Sequence, residues 1–145
     1  MAVGGTASTP VFVKDGQYLS MLADNAITIG NVVQITTTGT DTCDVGAANK
    51  TIAGVAVGGD RFSRTQTDNV IAAGSKVTVC TRGIVRVYTG TSTIVRGSYL
   101  EAGASGVVEL AGTAGTASDI QDVIGIALDG NSAAATTIRM KLLRG

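Results

Sequence analysis

The chain has 145 residues, enough for one domain with a true core. Its 11 basic and 11 acidic residues cancel and only 15% of positions are charged, so no nucleic-acid footprint is present. Histidine is absent, which removes the commonest general base, metal ligand and pH switch together.

Residues 1–9 are small and polar and offer nothing to bury, which predicts an extended arm. Pro10 biases Thr9 toward extended backbone. The apolar trio Val11, Phe12 and Val13 follows and ends at Lys14-Asp15-Gly16. Three readings compete for it: a first strand of the domain, a strand lent to another protein, or a tail. The chain divides on this basis into an arm, 1–18, and one β domain, 19–145. Tyr18–Ala26 is the best helix candidate, with Leu19, Met21 and Leu22 able to make one turn.

Strands and turns follow. Val32–Thr36 reads as a strand, and Ile52–Val57 as a near-continuous apolar strand buried on both faces. Residues 58–69 form the longest polar loop, which carries Arg61, Phe62 and Arg64 as candidate surface contacts. Val70–Val87 is the strongest pattern in the chain. Val77 and Val79 alternate with Lys76, Thr78 and Cys80, Gly83 interrupts, and Val85 and Val87 resume. A lone Gly there predicts a bulge in one long strand, or else a turn between two. Short strands are expected at Tyr99-Leu100, Val107–Leu110, Asp119–Leu128 and Thr136–Leu143. The sum is an all-β class: a compact small barrel or sandwich with little helix.

Three segments echo later ones in the same order. Ile27–Val33 matches Ile94–Leu100, Ile52–Val57 matches Ile124–Leu128 with Gly54 on Gly125, and Val77 and Val79 match Ile138 and Met140. Two diverged copies of one β unit account for this, giving two weakly similar halves.

Catalytic equipment is not apparent. Glu101 and Glu109 are eight residues apart across Gly-rich sequence and could pair in space as glycosidase carboxylates do, as any acidic pair could. Asp41 with Asp44, and Asp119 with Asp122, lack the spacing of a calcium loop and read as solvated turns. Cys43 and Cys80 lack metal-site spacing. Cys80 reads as a buried free thiol and Cys43 as a loop residue, with a bridge between them left open. No cofactor or metal is expected. The first residues lack a charged and apolar signal pattern, and no run reaches the length of a membrane span, so a soluble protein that stays on the cytosolic side of its synthesis, with no membrane partner, is expected.

The carriers Gly54-Val55-Ala56, Ala72-Ala73-Gly74, Val77, Val79, Gly83 and Val85, with Gly125-Ile126-Ala127 as a second copy, give the chain a family likeness. It resembles the small capsid decoration, or cement, proteins of tailed phages and related viruses over about residues 27–143. The resemblance implies a compact β-barrel, a homotrimer on the outer capsid surface that stabilises the shell, the major capsid protein as partner, no enzymatic activity, and an arm reaching the shell. Thr9, Pro10, Val11, Phe12 and Val13 are then the candidate capsid contacts. A carbohydrate- or receptor-binding module of a virion fibre is the alternative, and the 3% aromatic content disfavours it, since sugar rings stack on aromatic side chains.

Overall fold

The computed structural model describes residues 13–48, 50–59, 69–91, 93–111, 123–131 and 136–143. Its strands, in chain order, are β1 (Val13–Ala23), β2 (Ile27–Thr28), β3 (Val32–Ile35), β4 (Thr42–Val45), β5 (Ile52–Gly59), β6 (Val70–Ile71), β7 (Lys76–Tyr88), β8 (Tyr99–Ala102), β9 (Val108–Leu110), β10 (Val123–Ala127) and β11 (Thr137–Leu142). A 3-10 turn, Ala104–Gly106, separates β8 from β9. The all-β expectation holds. The helix expected over Tyr18–Ala26 does not form: Tyr18–Ala23 is the second half of β1. Met21 and Ala23 point into a core while Leu22 between them is exposed, the period of a strand rather than a helix turn.

Pairing closes a ring. β1 runs parallel to β4, β4 pairs with β3, β3 with β5, β5 with β7, and β7 returns antiparallel to β1. Met21, Ala23, Val33, Cys43, Ala56, Val77 and Val79 fill this first barrel, and Ile27 and Ile71, paired between β2 and β6, cap it. Closure leaves no edge strand in the ring.

A second ring repeats the first residue by residue. In β3–β5, Val32 faces Val55 and Val33 faces Gly54; in β8–β10, Tyr99 faces Ile126 and Leu100 faces Gly125. The next pairs, Gln34 with Ile52 and Glu101 with Val123, follow the same register slip in both. In β3–β4, Ile35 faces Cys43, and in β8–β9, Ala102 faces Val108. β1–β7 sets Leu19 on Val79 and Met21 on Val77; β7–β11 sets Val85 on Met140 and Val87 on Ile138. The parallel pair Ala23–Cys43 becomes the parallel bridge Thr89–Val108, and the Gly90 N–H donates to the Val108 carbonyl at 2.9 Å. The turns match as well. Gly30 and Gly97 both take positive φ (101° and 92°) and donate to the carbonyls of Ala56 and Ala127, each at 2.8 Å. The chain is therefore one five-stranded barrel in two copies.

The copies share β7. Its first half is the last strand of the first barrel and its second half the first strand of the second. Cys80, across the strand from Val79, belongs to the same buried cluster as Val85 and Val87. The side that carried even-numbered residues thus carries odd-numbered ones after Gly83. One extra residue at a bulge causes such a change of phase. Gly83 has φ 117°, and a Cβ there would lie 2.7 Å from the Lys14 carbonyl oxygen and 2.8 Å from that of Asp15. β1 is irregular at the same level, its register shifting between Lys14 and Gln17. β7 is thus one long bent strand and not two strands about a turn.

The cysteines are free and buried on different sides of the first barrel's wall. Cys43 lies in β4 within the barrel interior, not in a loop, and Cys80 faces the second barrel, so no bridge joins them. Burial pushes the Cys43 thiol up to about 11, helped by the charges of Asp24 and Asp44, and burial raises Cys80 too.

Candidate docking surfaces

The barrels join end to side. The end of the second barrel at which β8 finishes carries Val85, Ala102, Ile124 and Leu142. These four lie in one buried cluster with Val32, Val55, Val57 and Cys80 on the outer wall of the first barrel. The turn on that rim also reaches the wall: the Gly106 N–H donates to the Gly46 carbonyl at 2.9 Å, and Gly106 closes on Asn31 and Val45.

The corresponding end of the first barrel has no such cover among the described residues. β1 enters the ring at Leu19 and β3 stops there. Leu19, which the β1–β7 register sets on the face of Val79, is 45% exposed, and Ile35, on the face of Cys43, is 48% exposed. The rim between β3 and β4 is polar. Asp24 accepts hydrogen bonds from the hydroxyls of Thr36 at 2.6 Å and Thr38 at 2.7 Å, and these hold its carboxyl below the usual range.

The outer wall of the second barrel is likewise apolar and open. Ile84, Lys141, Ile126 and Tyr99 stand in one row across β7, β11, β10 and β8. Tyr99 is 50% exposed, Lys141 is exposed, and Ile84 and Ile126 are half-buried. Beside this row Arg139 makes a paired contact with Asp129, its NH2 nitrogen donating at 2.8 Å and its Nε at 3.0 Å. Those hydrogen bonds and the guanidinium charge pull the Asp129 carboxyl down to about 2.

Of the residues singled out from sequence, Val13 begins β1, faces Val85 and packs against the second barrel's cluster. Thr9, Pro10, Val11 and Phe12 lie outside the described residues, as do Arg61, Phe62 and Arg64. Glu101 and Glu109 face each other directly on β8 and β9, both buried. Glu109 is seated over Gly90 and Gly103, with the Thr91 hydroxyl 3.5 Å away. No group of three or more metal-ligating side chains occurs among the described residues. Sequence reading missed the exposed barrel end and the exposed wall. The echo of Val32 in Tyr99 was their one visible trace.

A family model described as "Structural cement protein (E217 gp24/Pam3 gp6)" matches residues 1–143. The chain belongs to this phage cement protein family. It is a structural component of a phage virion and associates with capsid proteins. No curated relative matches the cement protein sequence. Among solved structures, the cement protein is similar to the head fibre gp8.5 N base of bacteriophage phi29, with a TM-score of 0.59 at 16% identity, over 88% of this chain and 93% of that one. At that identity the likeness is one of fold.

Proposed function

We propose that the protein binds the outer surface of the mature capsid as a homotrimer and stabilises the shell, contacting the major capsid protein and performing no catalysis. The family match over residues 1–143 carries this reading. The low charge supports it, since a weakly charged surface leaves more area for protein contact. Host-cytoplasm synthesis fits a protein added to a finished shell.

The arm is the proposed capsid contact. Thr9, Pro10, Val11 and Phe12 lead directly into β1, whose first residue Val13 is already paired in the domain. As an extended segment they add a strand to a sheet edge on the capsid subunit, with Phe12 in a pocket. Arg61, Phe62 and Arg64 offer a second contact. Three arms on one trimer act together, raising binding by about 10²–10⁴ over a single arm.

Co-sedimentation with mature capsids lacking the protein tests this. The full chain should pellet with capsids and saturate. A variant lacking residues 1–12 should stay folded and trimeric but remain in the supernatant. Full-length protein that never pellets with capsids would remove the reading, and a shortened variant that pellets equally well would remove the role of the arm.

A further inference from the structure

The two surfaces that join the barrels are each present twice. Register supplies the counterpart of every contact residue. For the covered barrel end, Val85, Ala102, Ile124 and Leu142 correspond to Leu19, Ile35, Ala53 and Thr81. For the covered wall, Val32, Val55, Val57 and Cys80 correspond to Tyr99, Ile126, Leu128 and Lys141. One member of each pair of surfaces is buried inside the chain. The other is open: Leu19, Ile35, Tyr99 and Lys141 are exposed, and Ala53, Thr81, Ile126 and Leu128 are half-buried.

We propose that the open end of the first barrel in one copy seats on the open wall of the second barrel in the next copy, repeating between chains the contact that joins the barrels within one. The proposal rests on the homotrimer reading above and supplies its surfaces. Each copy uses its barrel end once and its wall once, so the contact is head-to-tail, and three copies close it into a ring.

The exposed residues are not scattered singly, as apolar surface residues usually are. They fall at the positions that the same fold covers in its other copy. Their character fits that role. Leu19 and Ile35 stand for the smaller Val85 and Ala102, Ala53 and Thr81 for the larger Ile124 and Leu142, and Tyr99, Ile126 and Leu128 for Val32, Val55 and Val57, so the apolar character is kept, larger on the wall and shifted toward Leu19 and Ile35 on the end. Lys141 replaces Cys80, and a lysine stem lies well across apolar surface with its ammonium at the rim. The rim turn has a counterpart too. Asp41, at φ 58°, occupies the place of Gly106, at φ 77°, on an exposed loop. On the wall, Ser98 and Leu110 stand for Asn31 and Val45, the residues that Gly106 meets within the chain.

Two full-length variants separate this contact from any symmetric one. Ile35→Glu disables the barrel end, and Tyr99→Glu disables the wall. Both positions are about half exposed, so circular dichroism should show an unchanged fold; Leu19→Glu and Lys141→Glu form a second pair. Molar mass by light scattering should give a trimer for the parent chain and a monomer for each variant alone. An equimolar mixture of Ile35→Glu and Tyr99→Glu should give heterodimers and nothing larger, because one intact end meets one intact wall. A monomeric parent, a variant that keeps the trimer mass, or a mixture that stays monomeric overturns the proposal. Capsid co-sedimentation is scored separately. A trimer of this pattern that ignores capsids leaves the contact standing and removes the capsid function. Chains that decorate capsids without the contact do the reverse.

Discussion

Leu19 and Val85 hold the same place in two copies of one barrel, set on Val79 and Met140 respectively, yet Leu19 is 45% exposed and Val85 fully buried. The difference comes from what lies beyond each barrel end. Val85 meets the wall of the first barrel, and none of the described residues covers Leu19 in that way. In the dissociated chain Val85→Ala should cost about 2 kcal/mol, from lost transfer energy and the cavity left behind. Leu19→Ala should stay within about 0.5 kcal/mol. Urea unfolding at unchanged m-value measures both, and equal losses would show that the two ends are equally buried.

Gly83 carries the bend on which the shared strand depends. Ala there meets two penalties, a positive φ and a collision with the backbone of β1, and should cost well over about 1 kcal/mol. Gly74 supplies the control. Its φ is 84°, but a Cβ there meets nothing within 4 Å, so Gly74→Ala suffers the backbone penalty alone. Thermal unfolding of the two variants should rank Gly83→Ala as clearly the less stable. The opposite ranking would mean that the bulge tolerates a side chain.

Much of this fold was legible in the sequence because it is local. β-branched alternation marked β7, the apolar run marked β5, and the order of the three echoes carried the duplication. The sharing of β7 between barrels was not legible, because register joins residues far apart and no local pattern encodes it. Leu19 and Leu22 misled for a physical reason. Both are apolar and exposed, one at a barrel end and one on an outer wall, so they blur the alternation of Met21 and Ala23 into a helix-like cluster. Tyr99 and Ile35 likewise read as ordinary strand residues, and only the tertiary arrangement leaves them uncovered.

The copies have diverged at one buried polar site. In the first barrel Ile71 caps an apolar end, and the buried Ser75 hydroxyl has no hydrogen-bond partner. In the second, Asn131 takes the place of Ile71, donates to the Thr89 hydroxyl at 2.8 Å and accepts from the Thr136 hydroxyl at 2.9 Å. Ser75→Ala removes an unsatisfied group and should be neutral or stabilising by up to about 1 kcal/mol. Asn131→Ala strands its partners and should cost about 1–3 kcal/mol. Chemical denaturation of the pair gives the signs, and a destabilised Ser75→Ala would show that its hydroxyl is satisfied in solution.

Asp129 sets a pH dependence. Its folded pKa of about 2 lies below the unfolded value of about 3.9, so its pairing with Arg139 stabilises the fold above the unfolded pKa. That contribution is lost as pH falls from about 4 toward 2. The pair is partly exposed, so the whole effect should stay under about 1 kcal/mol. Arg139→Gln should therefore be slightly less stable than the parent at pH 7, with the gap closing between pH 4 and 2. A gap that persists unchanged at pH 2 would assign it to packing instead of charge.

The claim that this duplicated barrel cements a capsid is tested most directly on the capsid itself. Virions assembled without the protein can be heated while genome release is followed with an intercalating dye, before and after purified protein is added back. The account predicts release at a lower temperature without it and recovery on saturating add-back, with the variant lacking residues 1–12 restoring none of the difference. Release at the same temperature in all samples would contradict it.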